Sequence, residues 1–124
     1  MKYTKDHEWL RVEKSENGGD LVVVGITEHA ATALGDVVFV ELPEIETVVA
    51  EGDEVAVIES VKAASDILAP TAGEIVAVNE LLVDNPGLVN DDPLGAAWFF
   101  KMRLDDLSVL DDFMDEDEYN DLIA

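Results

Sequence analysis

Apolar and polar side chains alternate over short stretches along most of the chain, the period of half-buried β-strands. "EWLRVEK" begins such a run, from Trp9 to Lys14, and "SENGGD" after it has the composition of a turn. "LVVVGI", Leu21 to Ile26, is β-branched and nearly all apolar, so it predicts a strand covered on both faces. Thr27 is a good N-cap and Gly35 a good stop, which makes "EHAATAL" a two-turn helix. Three later stretches echo one another: "GDVVFVE" from Gly35, "GDEVAVIE" from Gly52 and "GEIVAVNE" from Gly73. Each combines a turn glycine, an alternating strand and a closing acid, and their unequal spacing suggests a small sandwich or barrel, not a solenoid.

"EVAVIES" and "ASDILAP" predict a strand and its return, with "SVKA" at the hairpin tip. The tip has no glycine, so both central residues are expected at negative φ, as in a type I turn. After Glu80, "DNPGLVNDDPLGA" has the residues of a surface loop and "AWFFKM" those of a last strand. The tail, "LDDLSVLDDFMDEDEYNDLIA", predicts two short helices. Leu107 and Leu110 share a face of the first; Asp115 caps the second, whose packing face is Tyr119, Leu122 and Ile123. The expected architecture is mainly β: one domain over residues 1–124, a short helix after the second strand, and residues 104–124 as a helical C-terminal cap.

Composition narrows the function classes. With 7 Lys+Arg against 29 Asp+Glu, the formal charge of −22 disfavours nucleic acid and anionic membrane and favours basic protein surfaces. No apolar run is long enough to span a bilayer, and "MKYTKDHEWL" has neither an apolar signal nor an Arg-rich transit pattern, so a bacterial cytoplasmic location is expected. Cysteine is absent, which excludes disulfides, iron–sulfur clusters and thiolate metal sites. His7 and His29 are the only histidines and form no metal motif; His7 is expected to pack and hydrogen-bond beside Trp9. No nucleophile–base pair or phosphate loop is present, so an independent enzyme is not expected.

Lys62 is the only Lys or Arg between Ser15 and Phe100. Its neighbours Ser60, Ala63, Ala64 and Ser65 are small, so another protein can grip the tip from several sides. An exposed amine on a defined turn suits covalent modification; it equally suits an ordinary surface lysine.

"YTKDHEWL", "ITEHAATALGDVVFVELPE", "IESVKAASDI", "APTAGEIVAVNELL" and "NPGLVNDDP", in this order over nearly the whole chain, resemble the H protein of the glycine cleavage system, with "ESVKA" similar to its lipoylation motif. The resemblance implies a barrel-sandwich hybrid of the lipoyl- and biotinyl-domain kind, with lipoate in amide linkage to Lys62. It implies a carrier and not a catalyst. The P protein, a pyridoxal-phosphate glycine decarboxylase, would load an aminomethyl group; the T protein would pass the carbon unit to tetrahydrofolate; the L protein, dihydrolipoamide dehydrogenase, would reoxidise the arm. Lipoyl-attaching enzymes would be further partners, and a shuttle visiting several enzymes is best served as a monomer. Glu59 and Gly73 match positions that guide lipoylation. Glu8 and Asp66, with Asp6 where some relatives have Ser, match residues that hold the loaded arm in a cleft, where carboxylates suit an ammonium.

Leu94 and Ala97 depart from the family's usual Pro-Tyr and Gly-Trp pairs, and "LPEIETVVAEGDE" lacks a customary glycine. Other readings of the same turn and lysine are a lipoate-relay protein serving 2-oxoacid dehydrogenases, an unmodified interaction module, and a biotin carrier, which "SVKAA" fits poorly for want of flanking methionines.

Overall fold

A computed structural model describes residues 1–14, 20–104 and 107–123. The turn expected over 15–20 lies largely outside them. Among the described residues nine strands run in chain order: β1 (Lys2–Tyr3), β2 (Glu8–Lys14), β3 (Asp20–Ile26), β4 (Val37–Glu41), β5 (Val48–Val49), β6 (Glu54–Ser60), β7 (Ala64–Leu68), β8 (Gly73–Val78) and β9 (Phe100–Arg103). They form two antiparallel sheets, β1-β2-β3-β9-β8-β5 and β4-β6-β7. This is the expected mainly β architecture, consistent with a barrel-sandwich hybrid.

β3 lies between β2 and β9, and Val22, Val23 and Val24 are all fully buried. Period two explains how successive valines can all be inside. Val22, Val24 and Ile26 join Leu10, Ile58 and Ile75 in the core between the sheets, whereas Val23 packs with Tyr3, Trp9 and Tyr119 on the opposite face. Gly25 stands directly across from Trp9. A Cβ on it would lie 2.5 Å from Trp9 Cζ2, so the indole covers this strand only because the side chain is missing. Trp9 Nε1–H then reaches the Pro93 carbonyl at 2.9 Å.

Helix α1 spans Glu28–Leu34, and Thr27 Oγ1 accepts from Ala30 N–H at its start. Gly35 ends it at φ 76°, a left-handed conformation that glycine adopts without strain. Because β1 precedes β2, α1 follows the third strand rather than the second.

The stretch expected as a surface loop is instead folded onto the body. Single-turn helix α2 (Leu81–Asp84) leads into it and a second, α3 (Leu88–Asp91), lies within it; Val89 inside the stretch, and Leu82 and Ala97 on its two sides, are completely buried. Its turn-forming residues hold it there. Buried Asn79 donates to the carbonyls of Ala96 and Trp98, each at 2.8 Å, and the Asp92 carboxylate accepts from Ala96 N–H. Ala97 is small enough to lie wholly inside the core.

At the C-terminus a 3₁₀ helix, Leu107–Asp112, precedes α4, Glu116–Ile123. Asp115 and Glu118 exchange side-chain-to-backbone hydrogen bonds of 2.9 and 3.3 Å, closing a capping box. Tyr119 stacks on Tyr3 at 4.7 Å, and Ile123 packs beside it. Leu122 does not share this contact: it is half exposed, because the narrow strip of α4 that faces β1 is filled by Tyr119.

Replacing Gly25 with Ala should lower the unfolding free energy by about 1–3 kcal/mol, the range for overpacking. Urea titration of the variant checks this; wild-type stability would show that the indole yields freely.

Candidate functional site

The β6–β7 hairpin is closed by local hydrogen bonds. Ser60 N–H donates to the Ala63 carbonyl at 2.8 Å, while Ser60 Oγ accepts from the N–H groups of Lys62 and Ala63 at 3.2 and 3.1 Å. Neither central residue, Val61 nor Lys62, has positive φ, as the missing glycine predicted. The tip is also tied to its surroundings. Val61 N–H donates to the Asp36 carbonyl at 3.0 Å, and Asn90 holds both sides of Asp36: its Nδ2 donates to the Gly35 carbonyl at 2.7 Å and its Oδ1 accepts from Val37 N–H at 2.9 Å.

Lys62 is exposed, and its side chain lies across Gly35: a Cβ on that glycine would stand 3.2 Å from Lys62 Cε. The short end of α1 and the missing Cβ leave the amine a clear path outward. Lys62 forms no salt bridge among the described residues, whereas Lys101 and Arg103 are held by Glu13 and Glu74 at 2.7 and 3.1 Å. Glu59 is exposed on β6, across from Phe39 on β4 and Ala64 on β7. Gly73 lies in the other sheet, opposite Val49. A Cβ there would come within 2.8 Å of both the Arg103 carbonyl oxygen and Leu104 Cδ2, so close passage of β9 already requires glycine.

Next to the hairpin is a cleft of about 220 Å³. Ile26, Ala30, Leu34, Ile58 and Ile67 give it apolar walls. Asp6, Glu8 and Asp66 all reach its lining, although 60 residues separate Glu8 from Leu68, the residue to which it is bonded. Ser65 and His7 also line it. On β7, Ser65 and Ile67 pair with buried Ile58 and Ala56 and therefore face inward, while Asp66 pairs with Val57 and faces out. Asp66 thus meets the cleft at the free edge of β7. Ser65 is a cleft residue the family resemblance does not name; its place two residues before Ile67 on an alternating strand is the signal that finds it.

Glu8 is the best-fixed of these groups. It is buried, accepts from Thr4 Oγ1–H at 3.2 Å, and accepts from Leu68 N–H at 3.1 Å on the edge of the other sheet. Burial pushes its carboxyl up to about 7, against the opposing effect of the bonds from Thr4 and Leu68; Asp6 adds a smaller upward push. Its far side faces a second cavity of about 520 Å³ bounded by Tyr3, Gly52, Pro70 and Phe113.

His7 does hydrogen-bond, through a partner from the far end of the chain that packs in one cluster with Trp9: Nδ1 lies 2.8 Å from the Tyr119 hydroxyl, which lies 2.7 Å from Thr27 Oγ1. A φ of 66° turns its ring toward α1 and α4, where it meets His29 at a centroid distance of 4.8 Å. Burial, and then His29, lower the His7 pKa, with Asp6 opposing. Nothing in the sequence between residues 7 and 119 announces this contact.

The sequence matches the glycine cleavage H-protein family over residues 1–124. The chain belongs to that family. It is 53% identical over 123 residues to the glycine cleavage system H protein of Xanthobacter autotrophicus, covering 99% of this chain and 94% of that one. It is 54% identical over 123 residues to that of Methylocella silvestris, with the same coverage. The crystal structure of the Mycobacterium marinum H protein superposes with a TM-score of 0.84 at 38% identity, covering 97% of this chain and 93% of that one. As a family member the chain is a lipoate-bearing shuttle of the glycine cleavage system, a carrier and not a catalyst, working with the P, T and L proteins. No helix among the described residues is long and apolar enough to cross a membrane.

Glu8 predicts an unusual pH response. Between its ordinary value of 4.5 and its folded value of about 7, the folded state keeps a proton that the unfolded state has released. Stability should therefore fall as pH rises through this window. Glu8→Gln should remove that loss, leaving the variant about 1–3 kcal/mol more stable than wild type, relative to their difference at pH 4.5, once the window is passed. Paired urea titrations across the window measure this; parallel pH profiles would contradict it.

Proposed function

We propose that Lys62 is the residue that carries lipoate and that the cleft beside it shelters the loaded arm between enzymes. The supporting observation is a juxtaposition: an exposed lysine on a tied hairpin, with no salt bridge among the described residues, stands beside a cleft with apolar walls and three carboxylates, those of Asp6, Glu8 and Asp66. The residues suit the group. Ile26, Leu34 and Ile67 offer a surface for an aliphatic chain, and the acids offer acceptors for a cationic end. When attached, lipoate supplies a dithiolane that opens to accept a one-carbon fragment and returns two electrons on closing.

This chain's residues hold and shield. Thr4 and Leu68 fix the Glu8 carboxyl in place. Because burial keeps it near its titration midpoint at neutral pH, an ammonium arriving beside it favours ionisation, and the proton leaves to solvent. Asp6 and Asp66, both exposed, add negative potential at the mouth. The apolar walls limit access of the water that would hydrolyse the cargo. Glu59 serves recognition by the lipoylating enzyme from its exposed place three residues before Lys62, and Gly73 acts indirectly, by permitting the close β8–β9 packing behind it. The bacterial relatives point to a bacterial cytoplasm as the setting.

Two measurements check this reading. The intact mass of protein from its own cell should show a lipoyl adduct located on the Lys62 peptide, and Lys62→Arg should abolish both the adduct and glycine-dependent carbon dioxide release in the reconstituted system. Glu8→Ala should shorten the lifetime of the loaded form kept apart from its enzymes; an unchanged hydrolysis rate would remove Glu8 from the cleft's role.

A further inference from the structure

The outer face of the three-stranded sheet is uncovered and mixes apolar with acidic groups. Register places Phe39, Glu59 and Ala64 in one row across β4, β6 and β7, and Glu41, Val57 and Asp66 in the next. Phe39 is 44% exposed, Val38 beside it is 55% exposed, and Val61 at the hairpin tip is 66% exposed. Grouped at one end of the sheet beside the hairpin, these three side chains form the kind of exposed apolar patch that marks an interaction site. Glu41, Glu59 and Asp66 are exposed around it and form no salt bridge among the described residues. Farther along the same face, a groove of about 320 Å³ adds Glu44 and Glu54 beside Val55. No Lys or Arg other than Lys62 lies between Ser15 and Phe100 to offset these acids.

We infer that this face, anchored by Phe39, is the docking surface for the enzyme that acylates Lys62, which would present an apolar hollow rimmed by Arg or Lys. The inference rests on Lys62 being the lipoylated residue. Reach selects this partner over the others. An enzyme acting on the amine must bring Nζ itself to its reacting atoms, so it has to grip the surface within a lysine's length of the tip. Enzymes acting on the far end of a lipoyl arm can engage it extended, a full arm's length from the tip, and so do not need this patch. The acidic rim gives charge complementarity to the basic rim of the occupant and predicts slower acylation at high salt. Phe39, opposite Glu59, supplies the apolar anchor that a carboxylate alone cannot.

The test uses the full-length bare protein with a lipoate–protein ligase, lipoate and ATP, following Lys62 acylation by mass spectrometry. Phe39→Ser should lower kcat/KM for acylation roughly tenfold, and Phe39→Leu should restore most of it. Thermal unfolding of both variants checks that they fold. Each is then driven to full lipoylation by prolonged incubation, and its glycine-dependent carbon dioxide exchange with the P protein should match wild type. Unchanged acylation of Phe39→Ser overturns the inference, as does an equal fall in acylation and exchange, or a Phe39→Leu variant as slow as Phe39→Ser. If wild-type protein itself gains no lipoyl group on Lys62, the underlying reading fails instead.

Discussion

One carboxyl group sits where the two sheets meet, and the site is organised around it. Glu8 belongs to β2 in the larger sheet, and Oε2 accepts from Leu68 N–H on the free edge of β7 in the smaller one. An unpaired edge N–H is costly when covered, and an unpaired buried carboxyl more so; each satisfies the other. The bond also divides the space around it, with the cleft on one side and the larger cavity on the other. Replacing Glu8 with a hydrocarbon would leave the Leu68 N–H without its acceptor and would take from the cleft its one buried carboxyl.

The hairpin shows the opposite economy. It is exposed on nearly all sides, yet its backbone is fixed through Val61 to Asp36, and Asp36 is bracketed by Asn90. The lysine proposed for modification thus has a free side chain on a defined main chain. The excursion over residues 79–98 contributes here: far from being a detached loop, it supplies Asn90 and so helps set the position of Lys62.

Much of this was legible in the sequence because it is encoded locally. Thr27 and Gly35 bound α1, alternation gave β4, β6 and β8, and "ESVKA" marked the tip. Turn residues misled where their side chains bond over distance. Asn79, Asn90 and Asp92 have the composition of a loop, but they use their amides and carboxylate to fold it inward. Partners were least legible. The hydrogen bond expected of His7 goes to a tyrosine 112 positions away, which no local pattern announces. The gathering of Asp6, Glu8 and Asp66 at one cleft came from family resemblance, since their spacing alone carries no such signal.

The contact between His7, Tyr119 and Thr27 has a consequence for the cycle of loading and unloading. It staples the segment bearing Asp6 and Glu8 to α1 in front and to α4 behind, with the Tyr3–Tyr119 stack as a second fastening. The Glu8 carboxyl is therefore oriented and dehydrated when the chain folds, once per molecule. On the proposed reading of the cleft, a carrier that turns over many times then incurs no repeated reorganisation of that carboxyl.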